Sequence, residues 1–255
     1  MLPEERRRTI VEIVNERNGC SVTELADELE YSKPTIRRDL NALEQDGLVD
    51  RSHGGAVPLD KIGAEQSYRQ KEVQNLENKQ AIADRAVEEI HPEEIVFFDG
   101  GTTTMQVAKR VPDDRSYVAV TNSPLLADEL VVTADTVKMT GGTLRGKTQA
   151  LVGPTAEKFM QRLNFDLVFL GTNGLASDVG LTTPNEDEAE IKSLMVEHSE
   201  RVVLVADASK FQQRSFAQFA DLQSIDLIVT DEQPPDRLAR AFDSANVSVA
   251  IAGPP

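Results

Sequence analysis

Along the first 58 residues, apolar positions recur at helical spacing three times and then switch to alternation. Ile10, Ile13 and Val14 share one face of a first helix expected over Glu4 to Glu16 and closed by Asn18-Gly19. Val22, Leu25 and Leu29 mark a short second helix that starts at Ser21 or Thr23. Ile36, Leu40 and Leu43, spaced by four and three, define the buried face of a third. Ser32 is placed to cap it, and Pro34 falls in the first turn, where its missing N–H breaks no intrahelical bond. After Gly47, the segment Leu48 to Val57 alternates apolar and polar residues on either side of Gly54-Gly55, the pattern of a β-hairpin. Two helices, a turn at Glu30-Tyr31-Ser32, a third helix and a hairpin make a winged helix-turn-helix, in which the last helix reads bases and the one before it braces the backbone.

Residues 59 to 66 are polar and without period, so a linker is expected there, separating a domain at 3–58 from one at 67–255. A helix over Ser67 to Glu89, striped by Val73, Leu76, Ala83, Ala86, Val87 and Ile90, is either a lever or subunit contact or simply packs on the sheet that follows. From Ile95 onward, short apolar runs alternate with helical patterns. The runs are Ile95 to Phe98, Tyr117 to Val120, Thr136 to Met139, Leu167 to Leu170, Val202 to Ala206, Leu227 to Thr230 and Val247 to Ile251. Helices such as Thr104 to Arg110, Pro124 to Leu130, Glu186 to His198 and Asp236 to Ala245 lie between them. This alternation predicts a larger α/β domain with a mostly parallel sheet covered on both faces.

Charge complicates that picture. The chain carries 27 Lys and Arg against 43 Asp and Glu, a formal net charge of −16, and residues 1–58 alone hold 8 basic and 12 acidic side chains. A nucleic-acid reader is expected to show a basic face. Either the segment does not bind DNA, or the whole chain is adapted to high intracellular salt. The carboxylate surplus and the presence of only 10 lysines favour the second, halophilic, reading. No apolar run is long enough to span a bilayer, and Met1-Leu2-Pro3-Glu4-Glu5 lacks the regions of a signal peptide, so a cytoplasmic protein without membrane contact is expected. One cysteine, Cys20, excludes an intramolecular disulfide and a thiolate cluster, and His53, His91 and His198 show no ligand spacing. Neither a metal nor a cofactor is expected.

Chemistry-bearing positions fall into two groups. On the third helix Ser32, Lys33, Thr35, Arg37, Arg38 and Asn41 lie off the buried face. Arg suits bidentate contact with guanine, while Lys, Thr and Arg suit backbone oxygens. Arg51 and His53, near the tip of the wing, suit phosphate or the minor groove. An ordinary amphipathic helix with solvated basic residues would carry the same charges. The second group ends the strands: Asp99-Gly100-Gly101-Thr102-Thr103-Thr104, Thr121-Asn122-Ser123, Gly141-Gly142, Gly171-Thr172-Asn173-Gly174 and Asp207-Ala208-Ser209-Lys210. Ligands of open α/β sheets bind outside the carboxyl ends of the strands, so these loops predict one shared pocket, with Glu186 near its mouth. The Gly100 to Thr104 backbone and hydroxyls suit a phosphate, and Lys210 adds a point charge. Tight turns alone would also call for Gly and Thr.

Residues 3 to 58 resemble the amino-terminal domain of the DeoR family of transcription regulators, through Thr35 to Leu40, Leu43-Glu44, Gly47-Leu48 and His53 to Ala56. The second domain resembles that family's effector domain, of ribose-5-phosphate isomerase-like fold. The Asp99 to Thr104 loop, Thr121-Asn122-Ser123, Gly180 to Glu186 and Asp207 to Phe211 carry this second likeness. The resemblance implies DNA contact by Thr35, Arg37 and Arg38 and a place in the wing for His53. It also implies double-stranded operator DNA as a partner, a phosphorylated sugar or polyol as effector, and a homo-oligomer, dimer or tetramer. In isomerases of this fold the fourth loop resembles Asp-Gly-Ala-Asp. Here Leu170-Gly171-Thr172-Asn173 lacks both acids: Leu cannot take a proton and Asn can only hydrogen-bond. Glu186, Glu188, Glu190 and Lys192 could in principle supply a base and an electrophile, but are expected to form the polar face of a helix. The expected function is repression of sugar or polyol catabolic genes; the alternatives are a sugar-phosphate isomerase-like enzyme and an adaptor that has lost both ligands.

Overall fold

The computed structural model describes residues 2–17, 19–52, 54–57, 65–114 and 116–253, which fall into two compact units, Met1–Leu76 and Glu77–Pro255. The first contains α1 (Pro3–Glu16), β1 (Cys20–Ser21), α2 (Val22–Glu28), α3 (Lys33–Gln45), β2 (Asp50–Ser52), β3 (Gly55–Val57) and α4 (Tyr68–Val73). A capping box starts α2: Ser21 Oγ accepts the Glu24 N–H at 3.2 Å and the Glu24 carboxylate accepts the Ser21 N–H at 2.8 Å. The helices close on Ile10, Val14, Leu25, Ile36, Leu40 and Leu43. The wing is antiparallel, with Arg51 opposite Ala56 and Ser52 opposite Gly55.

β1, which periodicity does not reveal, adds a third strand to the wing in the order β1-β3-β2. Gly55 is required there, because a Cβ at that position would lie 2.2 Å from the Cys20 carbonyl oxygen. Cys20 is thus a buried strand residue; burial, and then the neighbouring Glu24 carboxylate, push its thiol pKa up.

The second unit opens with α5 (Leu76–Ala86) and continues through β4 (Ile95–Phe98), α6 (Thr102–Ala108), β5 (Val118–Thr121), α7 (Pro124–Leu130) and β6 (Thr136–Met139). A hairpin, β7 (Thr143–Arg145) and β8 (Ala150–Val152), precedes α8 (Pro154–Met160) and β9 (Phe165–Leu170). Then come β10 (Gly174–Ala176), β11 (Gly180–Thr183), α9 (Glu186–Glu197), β12 (Ser199–Val205), β13 (Ala217–Ala220), β14 (Leu227–Thr230), α10 (Asp236–Ala245) and β15 (Ser248–Ile251). The main sheet is seven-stranded and parallel throughout, in the order β15-β14-β12-β9-β4-β5-β6. A smaller antiparallel sheet has the order β10-β11-β13. Consecutive residues of one strand feed opposite cores: Phe97 joins Phe165, Met195 and Phe242, and Phe98 joins Phe169, Tyr117 and Ile82. Burial on both faces is why the central strands β4, β9 and β12 read as apolar runs, whereas the edge strands β6 and β15 are largely exposed.

One expectation needs correction. The helix expected over Ser67 to Glu89 is interrupted: Gln74 is extended and Asn75 takes φ 50°, a left-handed conformation that Asn tolerates well. Residues 59–64 of the expected linker lie outside the described residues; the compact units divide after Leu76, and α4 belongs to the first, where the Gln70 amide donates to the Gly47 carbonyl and Val73 packs against the helical core.

Candidate functional site

The third helix presents a defined outer face. Ser32 caps it, accepting the Thr35 N–H at 3.3 Å, and the Ser32 and Thr35 hydroxyls lie 2.9 Å apart, which fixes the entry of the helix. Ile36, Leu40 and Leu43 point inward, and Lys33, Arg37, Arg38 and Asn41 are exposed. Arg51 lies half-buried in the wing, with one shielded guanidinium nitrogen that has no hydrogen-bond partner among the described residues. His53 lies outside the described residues.

Asp39 is buried on the same stripe as Ile36 and Leu43. Its carboxylate accepts from Arg6 Nε at 2.6 Å and from Arg7 Nε at 3.3 Å, and the Arg6 guanidinium stacks 4.4 Å above the Tyr31 ring. The Asp39 hydrogen bond is the main cause that raises the Arg6 pKa further. These arginines brace α3 from within. The signal was present in the spacing: positions 36, 39, 40 and 43 share a face, so a carboxylate at 39 requires a cation from another helix.

In the second unit all seven strands of the main sheet run the same way, so the polar segments that end them meet at one edge. From β4 the chain winds outward through β5 and β6, and from β9 it winds the other way through β12, β14 and β15. The reversal between β4 and β9 is a topological switch point, the place where open α/β sheets bind ligands. Asp99 bridges it: its Oδ2 accepts the Gly171 N–H at 2.9 Å and is paired with Lys192 Nζ, which also donates to the Gly171 carbonyl at 2.9 Å. Next to it the Gly100 N–H donates to Asn122 Oδ1 at 2.8 Å. Thr102 and Thr103 are buried in the same turn. Asn173 accepts the Thr183 hydroxyl at 3.2 Å, Asp207 accepts the Ser209 N–H at 3.1 Å, and Lys210 is half-buried beyond it.

Several expected site residues have other employment. The Thr104 hydroxyl is committed to its own turn, accepting the Gly101 N–H at 3.0 Å and donating to the Gly101 carbonyl at 2.8 Å. Gly142 sits at the root of the β7–β8 hairpin, with φ 109° and room for no Cβ, which would lie 2.5 Å from the Val152 carbonyl oxygen. Glu186 and Glu190 are exposed, but Glu188 and Lys192 are buried, contrary to a wholly solvated helix face. Glu188 receives Arg145 and the Thr148 hydroxyl from the hairpin. α9 packs against β9 and β12 of the main sheet and also against β11 and β13 of the small one, so one of its charged stripes is covered and its charges must pair.

Comparison with known proteins gives two matches along the chain: the DeoR-like helix-turn-helix domain over residues 6–61 and the DeoR C terminal sensor domain over residues 74–232. The chain belongs to the DeoR family of transcription regulators. Among its DeoR relatives is the HTH-type transcriptional regulator GlpR of Haloferax volcanii, 61% identical over 98% of this chain and 98% of that one. The putative aga operon transcriptional repressor of Escherichia coli O157:H7 is 36% identical over 98% and 94%. Ribose 5-phosphate isomerase A of Methanocaldococcus jannaschii matches at TM-score 0.38 and 12% identity, over 52% of this chain and 53% of that one. The DeoR relatives are transcriptional regulators, and the present chain is a DNA-binding regulator of that family. Among the described residues no helix is long and apolar enough to cross a membrane.

For a DeoR protein with this α3, Arg37→Ala or Arg38→Ala should weaken operator binding by about 1–3 kcal/mol each while leaving the unfolding midpoint within error, since both side chains are exposed. Fluorescence anisotropy with a labelled promoter fragment measures the first and urea unfolding the second. Unchanged affinity in both variants would remove α3 from the interface.

Proposed function

We propose that this regulator represses sugar or polyol catabolic genes and releases its operator when a phosphorylated sugar or polyol occupies the crevice at the β4/β9 strand ends. The observation that carries the proposal is the convergence of hydroxyl- and glycine-bearing loops on that crevice around an Asp99 carboxylate already neutralised by Lys192. With Oδ2 committed to an ammonium and a backbone N–H, Asp99 keeps a binding surface fixed. α6 has only seven residues, so the N–H groups of the turn beyond Gly101 and the Thr103 hydroxyl, with Lys210, rather than a long helix dipole, would hold the phosphate. The names of the relatives point the same way, to transcriptional control that includes an aga operon repressor. Phosphorylated hexoses such as fructose 1-phosphate, and glycerol 3-phosphate, are the leading effectors.

A two-fold operator calls for at least a dimer, and a dimer or tetramer acting in the cytoplasm completes the proposal. Few exposed cations on α3 and a −16 chain fit a regulator working in high intracellular salt, where base contacts must outweigh counterion release. The test is calorimetric titration of the full chain with fructose 1-phosphate, glycerol 3-phosphate and their unphosphorylated parents, alongside an assay for ketose formed from ribose 5-phosphate. Binding confined to phosphorylated compounds, with no turnover, is the expected result. Ketose production would restore the enzyme reading.

A further inference from the structure

Ser123 lies between β5 and α7 with its backbone fixed on both sides: its N–H donates to Thr121 Oγ1 at 3.1 Å and its carbonyl accepts the Ala127 N–H at 3.0 Å. It occupies the N-cap position of α7, where a serine hydroxyl ordinarily accepts a helix N–H, yet its side chain makes no capping bond. The residue is 0% exposed and its Oγ has no hydrogen-bond partner among the described residues. A buried hydroxyl that forgoes an available cap is destabilising unless something else satisfies it.

Its surroundings show what could reach it. A Cβ built on Gly100 would lie 3.3 Å from Ser123 Cβ and 3.5 Å from Ala150 Cβ, so Ser123, the Asp99 to Thr104 turn and the β7–β8 hairpin meet at one point. The hairpin lies across the strand ends, with the Leu151 N–H donating to the Asn122 carbonyl at 2.6 Å. Near its tip, Arg145 and Thr148 are fastened to Glu188, one helical turn from the Lys192 that bridges the crevice. The hairpin therefore packs beside Ser123 and is fastened to α9 through Glu188.

We infer that the Ser123 hydroxyl is an effector-contacting group, hydrogen-bonding an oxygen of the phosphorylated ligand when the β7–β8 hairpin lifts from the strand ends. The inference rests on the effector reading above and adds to it both a contact and the gate that exposes it. Removal of an unsatisfied hydroxyl does not weaken the fold, whereas loss of a ligand hydrogen bond weakens binding.

The experiment compares Ser123→Ala with wild type in the full chain, by thermal unfolding and by calorimetry with fructose 1-phosphate and, separately, inorganic phosphate. The expected result is an unfolding midpoint equal to or above wild type together with fructose 1-phosphate binding weakened at least about fivefold. Equal weakening of inorganic phosphate would identify a phosphoryl oxygen as the partner, and weakening of the sugar phosphate alone a sugar hydroxyl. A lowered midpoint would show that the hydroxyl has a structural partner, and unchanged affinity that it meets no ligand; either overturns the inference. Failure of the wild type to bind any probe would instead overturn the effector reading itself. Glu188→Gln should speed association of fructose 1-phosphate by loosening the latch, and an unchanged rate would reject the hairpin as the gate.

Discussion

Asp39→Ala should destabilise the amino-terminal unit by about 3–5 kcal/mol, the range for removing one partner of a buried ion pair. The Arg6 and Asp39 side chains are only 10% and 3% exposed, so truncation leaves a guanidinium buried against Tyr31 with no carboxylate. Denaturant unfolding followed by a probe in this unit measures the loss. The origin can be separated from a simple packing defect, because Arg6→Met combined with Asp39→Leu removes both charges and should recover most of the stability. Asp39→Ala should also weaken operator binding at temperatures where the unit begins to open, although Asp39 itself lies on the buried face of α3. A loss below about 1 kcal/mol would mean that the pair is exchanged for water and does not brace α3.

Lys192→Met should cost the carboxy-terminal unit a similar amount, about 3–5 kcal/mol. Lys192 and Asp99 are 8% and 4% exposed at the side chain, and Met fills most of the volume, so the effect isolates charge rather than packing. Asp99 would keep the Gly171 N–H but lose its counter-ion, and the Gly171 carbonyl would lose a donor. Adding Asp99→Asn should restore much of the loss, since an amide oxygen can still accept the Gly171 N–H without a buried charge. Stability unchanged by Lys192→Met would detach the pair from the crevice and with it the argument that Asp99 is held in place.

The centre of the main sheet was legible because its strands are buried on both faces: Ile95 to Phe98 and Leu227 to Thr230 appear at the expected bounds, as does the exposed edge strand Thr136 to Met139. The hairpins β7–β8 and β10–β11 were not, since three- and four-residue strands rich in Gly and Thr carry no period and gain their stability from neighbours. The same limit hid the gate. Loop residues at the sheet edge could be found from strand ends alone, but Glu188 and Lys192 depend on a second sheet covering α9, which no local pattern reports. Ser123 was visible only as part of a loop motif; its missing cap is a fact of geometry. The outward positions of Lys33, Arg37, Arg38 and Asn41 followed from period and these residues stand exposed, whereas the inward Asp39 had to await Arg6.

The most direct test of the division of labour between a reading unit and a sensing unit is operator release. The full chain is bound to a labelled fragment of its own promoter region in molar KCl and titrated with fructose 1-phosphate, glycerol 3-phosphate and their unphosphorylated counterparts. A phosphorylated compound should lower operator affinity by about 5–150-fold, the usual range of coupling between two sites, while the unphosphorylated ones do nothing. Operator affinity indifferent to every phosphorylated metabolite tried would contradict the account.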